Sequence, residues 1–454
     1  MTLMDLLFSA EFLDSAPDAF YNFFPVFVLF GVLGVLLLVG VPIAFSIGIA
    51  ALFTVFIDFP LEHVTILVSQ KLANGLDNFG LLALPFFIVA GNLMNRGGLA
   101  SRLINFVMIF GGRLPGSLSH VNVMANMLFG SLSGSATASA AAVGGIMKPL
   151  QEERKYPMDF STAVNVASCP SGLLIPPSNI LILFALVSST SVQYLFIAGY
   201  IPGIMMGLSV MIGIFLLGKK YNIPRDKIIV TEKKRKVIWD AIPSLTLVIV
   251  IMGGILGGIF TATEASAIAV VYALFLGFAY RELKFNDLFP VLVDSVITTS
   301  IVLLMVATSS AMSWAMANAD IPTQIADFVL ETSTNPIMVI LLMNLILLVV
   351  GTFMDMTPAV LIFTPIFLPI AMTLGIDPVH FGIILVFNLC IGICTPPVGT
   401  ALFVGCSVTG SKLGTVVPKL VPLFVLMVIT LTIVTLFPSL SLWLPELAGY
   451  KPQY

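Results

Sequence analysis

Long apolar stretches alternate with short polar segments over almost the whole chain. They recur from residue 25 to residue 444 of the 454 residues, and a helix that crosses a bilayer needs about 20 apolar residues. Within lipid, only helices or closed barrels can satisfy their own backbone groups. The pattern therefore predicts an all-α polytopic membrane protein with roughly a dozen crossings or half-crossings.

Two of the apolar stretches are interrupted near the middle by a small polar segment. Residues 117–150 are interrupted at 131–137, and residues 336–373 at 351–358. Each arm of the first stretch has about 14 residues, which is too short to cross a hydrocarbon layer of about 30 Å. Two short arms around a polar tip predict a re-entrant helical hairpin in each half of the chain.

Each predicted hairpin is followed by an apolar helix that contains two consecutive prolines, at 160–189 and at 381–409. Such a pair cannot lie inside a continuous helix without a loss of backbone hydrogen bonds. A glycine precedes each pair at identical spacing, Gly172 in the first helix and Gly392 in the second. A hairpin followed by a broken helix thus occurs twice in the chain, and the two copies are about 220 residues apart. Such paired interruptions indicate the binding site of a secondary transporter.

The distribution of charge indicates that the two repeats are inverted. Eight of the twenty lysines and arginines lie in residues 219–236, which the positive-inside rule places in the cytoplasm. The base of the first hairpin carries Arg113, Lys148, Arg154 and Lys155. Residues 285–411 contain no lysine or arginine, and the base of the second hairpin carries Asp327, Glu331 and Asp377. One hairpin is therefore expected to enter from the cytoplasm and the other from outside.

These features divide the chain into six predicted segments. They are an acidic N-terminal lead at 1–24, scaffold helices at 25–115, the first hairpin and broken helix at 116–190, further scaffold helices with the cytoplasmic basic loop 219–236 at 191–334, the second hairpin and broken helix at 335–411, and a C-terminal helix and tail at 412–454. The two hairpin segments are predicted to form a transport domain.

Composition narrows the class of protein further. The chain is 58% hydrophobic and 9% charged, whereas soluble proteins carry about 25% charged residues. A net charge of -3 gives no sign of a nucleic-acid partner, and the apolar surface predicts membrane lipid around the protein. Three scattered histidines and isolated acidic residues offer neither a catalytic dyad nor a metal cluster. We therefore expect no enzyme and no cofactor.

The interruptions carry the candidate chemistry. An unpaired backbone group at membrane depth costs several kcal/mol unless a ligand, water or protein satisfies it. Freed carbonyls and helix C-termini attract cations, helix N-termini attract anions, and neutral hydroxyl oxygens suit a hard cation such as Na⁺. We therefore expect Na⁺ and substrate at the tips and breaks. The candidate residues are Ser133, Gly134, Ser135, Thr137, Pro176, Pro177, Ser178, Asn179, Asp355, Thr357, Thr395, Pro396, Pro397, Gly399 and Thr400.

Two acidic residues have alternative interpretations. Asp355 is the one ionisable residue at a predicted hairpin tip, and a carboxylate within a membrane typically marks an ion site; the alternative is a helix cap. Glu264 either lines the transport path or forms a capping box with Thr261 or Thr263.

Several segments resemble the large permease subunit of TRAP (tripartite ATP-independent periplasmic) transporters, in order from about residue 27 to residue 440. They are NGLDNF at 74–79, LPFFIVAGNLM at 84–94, SGSA at 133–136, IPPS at 175–178, FTATEA at 260–265 and TPPVG at 395–399. The first break departs from the family pattern, since Cys169 and Pro170 stand where small and hydroxyl residues are commoner.

The resemblance implies an elevator-type symporter in the bacterial inner membrane that imports an organic acid with Na⁺. It also implies a separate small four-helix permease subunit and a periplasmic binding protein that captures a dicarboxylate, sialic acid or similar carboxylate. In such a family the ion sites lie where each hairpin tip meets a broken helix, which assigns that role to the tip and break residues, including Asp355. A stand-alone anion symporter, a Na⁺/H⁺ antiporter and a passive channel are the alternatives.

Overall fold

The structure, a computed structural model, describes residues 3–7, 18–112, 114–224, 234–325, 335–396 and 399–452. Every regular element named in those ranges is helical, as the apolar pattern predicts. Part of the acidic lead (8–17) and part of the basic loop (225–233) fall outside these ranges. Three residues of the charge argument do so as well, namely Arg113, Asp327 and Glu331.

The helices are numbered here in chain order. They are α1 (Leu3–Leu7), α2 (Asp18–Val39), α3 (Ile43–Val55), α4 (Leu61–Leu76), α5 (Ala83–Arg96), α6 (Leu99–Gly111), α7 (Ser117–Ser133), α8 (Ala136–Glu153), α9 (Met158–Ser168), α10 (Ser171–Leu174), α11 (Asn179–Ser188), α12 (Val192–Leu217), α13 (Lys234–Leu256), α14 (Ala262–Ala279), α15 (Phe285–Asn318), α16 (Pro336–Phe353), α17 (Met356–Thr373), α18 (Pro378–Gly392), α19 (Thr400–Thr409), α20 (Leu413–Leu436) and α21 (Ser439–Leu447).

Within the described ranges, eight helices are long and apolar enough to cross a membrane. A ninth span is added if α9–α10 and α11, which meet at a bend of 47°, are counted as one broken span. Large apolar side chains such as Phe215 and Phe289 are exposed on the outer surface of these helices, where a soluble protein would place polar ones. The protein is therefore a multi-pass membrane protein.

Helices α7 and α8 form the first predicted hairpin, called hairpin 1. α7 ends at Ser133, and Gly134 follows in the left-handed region with φ of 62°, which glycine adopts without steric strain. Ser135 then caps α8, and its hydroxyl accepts a hydrogen bond of 3.3 Å from the backbone N–H of Ala138. A glycine C-cap next to a serine N-cap thus folds the chain back at the polar tip.

Helices α16 and α17 form hairpin 2, with a different tip. α16 ends at Phe353, Met354 is extended, and Asp355 occupies the N-cap position of α17. The Asp355 side chain makes no capping hydrogen bond to α17. One reason is local, because Pro358 is the third residue of α17 and has no N–H to donate.

The two broken helices follow the hairpins, as predicted. Broken helix 1 comprises α9, α10 and α11, with its break at residues 175–178, and the Pro176–Pro177 peptide bond is cis. Broken helix 2 comprises α18 and α19, with its break at 393–399. Pro397, a predicted site residue, lies outside the described part of this break.

The hairpins and broken helices pack together in the same way in both repeats. The first arm of each hairpin packs against the first half of its own broken helix, α7 on α9 and α10, and α16 on α18. The second arm packs against the second half of the other broken helix, α8 on α19 and α17 on α11. We call this body, formed by α7–α11 and α16–α19, the hairpin core. It is flanked by α5, which packs on α14 and α15.

Each hairpin touches its broken helix through a pair of glycines. A Cβ atom added to Gly172 would lie 2.5 Å from the Cα of Gly130, and one added to Gly392 would lie 2.5 Å from the Cα of Gly351. Neither backbone can approach so closely with a larger residue. The same contact therefore fixes both breaks against their hairpins, and it gives the glycine at identical spacing in the two repeats a physical role.

Buried amides add a second connection within each repeat. Asn126 on α7 donates through its side-chain nitrogen to Asn165 Oδ1 at 2.9 Å and to Ser168 Oγ at 2.8 Å, and its Oδ1 accepts from Ser139 Oγ at 2.8 Å. All four residues are almost fully buried. This network joins α7, α8 and α9.

The second repeat has a related network at a different position. Asn388 on α18 donates to Asn344 Oδ1 on α16 at 2.8 Å, and Asn344 donates to Thr435 Oγ1 on α20 at 2.9 Å. Buried amides thus hold the first arm of each hairpin to its broken helix.

We expect Asn126→Leu to lower the stability of hairpin 1. The change keeps the number and branching of the side-chain heavy atoms but leaves Asn165 Oδ1 and the Ser139 hydroxyl without this partner, which costs about 1–3 kcal/mol for each buried group left unpaired. A fall in the thermal unfolding midpoint of the purified protein would measure the loss. The matched control is Thr430→Val, since the Thr430 hydroxyl donates to the Leu426 carbonyl of its own helix and has no other partner among the described residues. An equal fall in both variants would contradict the expectation.

Candidate functional site

A cavity of about 430 Å³ lies where the two hairpin tips meet the two broken helices. One wall belongs to the hairpin core and the other to α5 and α15. The described residues that line it are Leu84, Ile88, Gly91, Asn92, Asn95, Ser133, Gly134, Ser135, Ala136, Thr137, Ala138, Leu173, Asn179, Ile180, Leu183, Thr298, Val302, Asp355, Met356, Thr357, Ile393 and Thr400. The tips of the two repeats, distant in sequence, therefore face one space.

Eight of the fifteen predicted site residues line this cavity. They are Ser133, Gly134, Ser135, Thr137, Asn179, Asp355, Thr357 and Thr400. Of the others, Pro176, Pro177 and Ser178 are buried behind the cavity surface, and the described residues Thr395, Pro396 and Gly399 also lie outside its lining.

The tip of hairpin 1 presents backbone and hydroxyl oxygens to the cavity. Ser135 and Thr137 hydroxyls lie 3.1 Å apart, and the Ser133 hydroxyl lies 3.4 Å from the Ser135 carbonyl. A Cβ atom added to Gly134 would lie 2.6 Å from Asn179 Nδ2. The tip of hairpin 1 is therefore in contact with the first residue of α11.

The tip of hairpin 2 brings a carboxylate to the same space. Asp355 lines the cavity from the N-cap position of α17, and the choice between its ion-site and capping roles stays a prediction. Thr400, the first residue of α19, also lines the cavity, and its side chain interacts with the Asp355 carboxylate. Asp355 and Thr400 thus form a pair of oxygen-bearing side chains at the cavity surface.

The N-termini of four helices converge on the cavity. Ala136 and Thr137 begin α8, Asn179 begins α11, Met356 begins α17 and Thr400 begins α19, and all of these residues line the space. Each helix has at least ten residues. A helix N-terminus carries about half a positive charge and unpaired N–H groups. The four together favour an anion in the cavity.

The opposite wall of the cavity was not predicted from the sequence. Asn92 and Asn95 on α5 and Thr298 on α15 line the cavity, and Asn92 donates a hydrogen bond of 2.8 Å to the Ser295 hydroxyl on α15. Two asparagines three residues apart in an apolar helix were the available signal, because polar amides within membrane helices mark polar paths or contacts between helices. A short contact joins this wall to hairpin 1, since a Cβ atom added to Gly91 would lie 2.6 Å from the Ser133 carbonyl oxygen.

The model of one protein family matches almost the whole chain. It is the family described as "Tripartite ATP-independent periplasmic transporter, DctM component", and the match covers residues 30–440. The chain belongs to this family.

Individual relatives match the sequence of this chain over nearly their full length. The permease is 54% identical to the uncharacterized protein YgiK of Salmonella typhimurium, over 94% of this chain and 99% of the relative. It is 39% identical to the sialic acid TRAP transporter large permease protein SiaM of Vibrio cholerae, over 93% of this chain and 99% of the relative. It is 38% identical to the C4-dicarboxylate TRAP transporter large permease protein DctM of Pseudomonas aeruginosa, over 89% of this chain and 94% of the relative.

A solved structure shares the fold. The permease resembles the YdaH transporter of Alcanivorax borkumensis, whose crystal structure has an unusual topology, with a TM-score of 0.63 over 85% of this chain and 89% of that chain. The sequence identity is 12%, so the likeness concerns the fold alone.

Glu264, the second acidic candidate of the permease, does not line the cavity. Its carboxylate accepts hydrogen bonds from the Thr261 N–H at 2.8 Å and the Thr261 hydroxyl at 2.9 Å, and the Thr261 hydroxyl accepts from the Glu264 N–H at 3.2 Å. This is a complete capping box at the start of α14. Of the two interpretations of Glu264, the helix cap is correct.

Proposed function

We propose that this permease is the large transmembrane subunit of a TRAP transporter that imports an organic acid together with Na⁺. The observation that carries the proposal is the convergence of four helix N-termini and one carboxylate on a single cavity between the two repeats. An organic acid and a cation both find complementary charge in such a space.

The N-termini support an anionic substrate. The first residues of α8, α11, α17 and α19 line the cavity, and N–H groups at a helix N-terminus can donate to a carboxylate oxygen. Two relatives are named for sialic acid and for C4-dicarboxylates, which are both organic acids. The chemical class that we propose for the substrate is therefore a small carboxylate.

The C-terminal ends at the same breaks support Na⁺ binding. Ser133 ends α7, while Leu173 and Ile393 lie at the ends of α10 and α18, and all three line the cavity. The C-terminal end of a helix carries partial negative charge, which attracts a cation. Asp355 and the hydroxyls of the tips add hard oxygen ligands, which suit Na⁺. No cofactor other than this coupling ion is needed for the proposed transport.

The division of the cavity between two bodies supports an elevator motion. The hairpin core supplies both tips and both breaks, whereas α5 and α15 supply the opposite wall. We propose that the core carries substrate and Na⁺ past a scaffold that includes α5 and α15, in the bacterial inner membrane. The family description is of a tripartite system, so we propose two partners, a small four-helix permease subunit and a periplasmic binding protein.

Uptake in proteoliposomes tests this proposal. The permease is reconstituted with its small subunit, and the binding protein is added outside with radiolabelled sialic acid, succinate or gluconate. We expect accumulation of one of these acids only with both an inward Na⁺ gradient and the binding protein. A K⁺ gradient of the same size is the control. Equal uptake with K⁺ would refute Na⁺ coupling, and full uptake without the binding protein would favour a stand-alone symporter.

A further inference from the structure

The wall formed by α5 and α15 continues beyond the cavity to an ion pair. Arg96 lies one helical turn after Asn92 on α5, and Asp294 lies one turn before Thr298 on α15. Residues four positions apart share one face of a helix. Arg96 Nη2 and Asp294 Oδ2 are 3.5 Å apart, so the pair extends the face that carries Asn92 and Thr298 and stands at the edge of the cavity.

The pair is open to exchange with another carboxylate. The Arg96 side chain is 43% exposed and that of Asp294 is 62% exposed, and exposed ion pairs of this kind contribute little to stability. A guanidinium binds a carboxylate through two parallel hydrogen bonds when the geometry allows. A substrate carboxylate can therefore replace Asp294 on Arg96 at little cost.

The cavity itself has no cationic side chain among its described lining residues, so Arg96 would add the positive charge that an anionic substrate needs. Among the described lining residues, Asp355 alone carries a formal charge, and that charge is negative. The helix N-termini oppose it on the wall of the hairpin core. On the facing wall, the neutral amides of α5 line the cavity and Arg96 lies beyond them on the same helix. Its positive charge can bind a second carboxylate of the substrate, or the same carboxylate when the substrate leaves the cavity.

The pair lies toward one side of the membrane. Helices α13 and α14 cross consecutively after the basic segment, so the turn between α14 and α15 is on the same side as that segment, which the positive-inside rule makes cytoplasmic. Asp294 is closer to that turn than Thr298 is. Arg96 and Asp294 therefore lie between the cavity and the cytoplasm.

We propose that Arg96 binds the substrate carboxylate at the cytoplasmic mouth of the cavity, and that Asp294 competes with the substrate for it. The inference rests on the proposed function, since it requires that the substrate be an organic acid. Substrate release is then an exchange of ion pairs, in which Arg96 pairs again with Asp294 when the substrate carboxylate leaves.

Opposite effects of two single substitutions test the inference. Binding of radiolabelled succinate and of sialic acid, in Na⁺ and without the binding protein, is measured on the purified complex of the permease with its small subunit. We expect Arg96→Gln to weaken binding about tenfold, since it removes a charge-assisted bidentate contact. Asp294→Asn should tighten binding by about threefold, because it removes a weak competitor. Arg96→Lys keeps the charge and should lose less than Arg96→Gln.

The matched control is Arg102→Gln. Arg102 also pairs with an acidic residue of a neighbouring region, Glu282, at 3.6 Å, but it stacks on Tyr280 and does not border the cavity. We expect the dissociation constant of the Arg102→Gln variant for each acid to stay within about twofold of that of the unmutated protein. Thermal unfolding midpoints of all variants show whether each remains folded.

The outcomes separate the inference from the proposed function. If Arg96→Gln and Asp294→Asn weaken binding alike, or leave it unchanged, the pair is a structural clamp and the inference is overturned. If the unmutated complex binds neither acid in a Na⁺-dependent way, the proposed function itself fails. Opposite shifts in folded variants support both.

Discussion

Replacement of Asp355 by alanine is expected to abolish Na⁺-driven uptake while the protein still inserts and folds. Asp355 faces the cavity and makes no capping bond to α17, so its removal costs the helix little. It is also the single charged group among the described lining residues. Its loss removes the strongest cation ligand, and we expect uptake to fall by far more than tenfold, which corresponds to over about 1.4 kcal/mol.

Two further variants make this result specific. Asp355→Asn keeps the shape of the side chain and removes only the charge, and we expect nearly the same loss. Glu264→Gln removes the charge of a carboxylate that belongs to the capping box of α14, and we expect a small change in stability with Na⁺ dependence intact. Uptake by Asp355→Ala in proteoliposomes with unchanged dependence on Na⁺ would overturn the ion-site assignment.

Replacement of Gly392 by alanine is expected to separate broken helix 2 from hairpin 2. The added Cβ would lie within 2.8 Å of three backbone atoms of Gly351, namely its Cα, carbonyl carbon and carbonyl oxygen. Backbone cannot move aside as a flexible side chain does, so the two helices must part, at a cost of about 1–3 kcal/mol. Both the thermal unfolding midpoint and uptake should fall, because the displaced helix carries the second break.

The internal repeat supplies a second test of the same contact. Gly172→Ala meets the Gly130 backbone at equally short distances and should behave like Gly392→Ala. The control is Gly253→Ala on α13, where an added Cβ would meet no atom within 4 Å and should leave stability unchanged or raise it by up to about 1 kcal/mol. If Gly392→Ala kept normal stability and uptake, the glycine contact would have no role in positioning the break.

Much of the fold was predictable because the bilayer limits how a chain can interrupt a helix. The double prolines and the Gly134–Ser135 sequence break helices through local stereochemistry alone. Their recurrence about 220 residues later indicated a repeat before any contact was known. The predicted hairpins and broken helices are confirmed, while the six segment boundaries and the ion and substrate roles stay predictions.

Other features depended on packing between distant segments. Asn92 and Thr298 belong to helices that are separated by some 200 residues, and only their packing places both on one wall. The two roles open for Glu264 were equally compatible with its sequence, and its hydrogen bonds to Thr261 decided between them.

Local sequence patterns are enough to identify a multi-pass helical membrane protein with two hairpins and two broken helices, because hydropathy, proline and glycine act over a few residues. The sequence also indicated the family through short segments spread along the chain. The packing of distant segments was needed to show that four helix N-termini, Asp355 and a wall from α5 and α15 enclose one cavity. Such convergence depends on contacts between residues far apart in sequence, and no local pattern records those contacts.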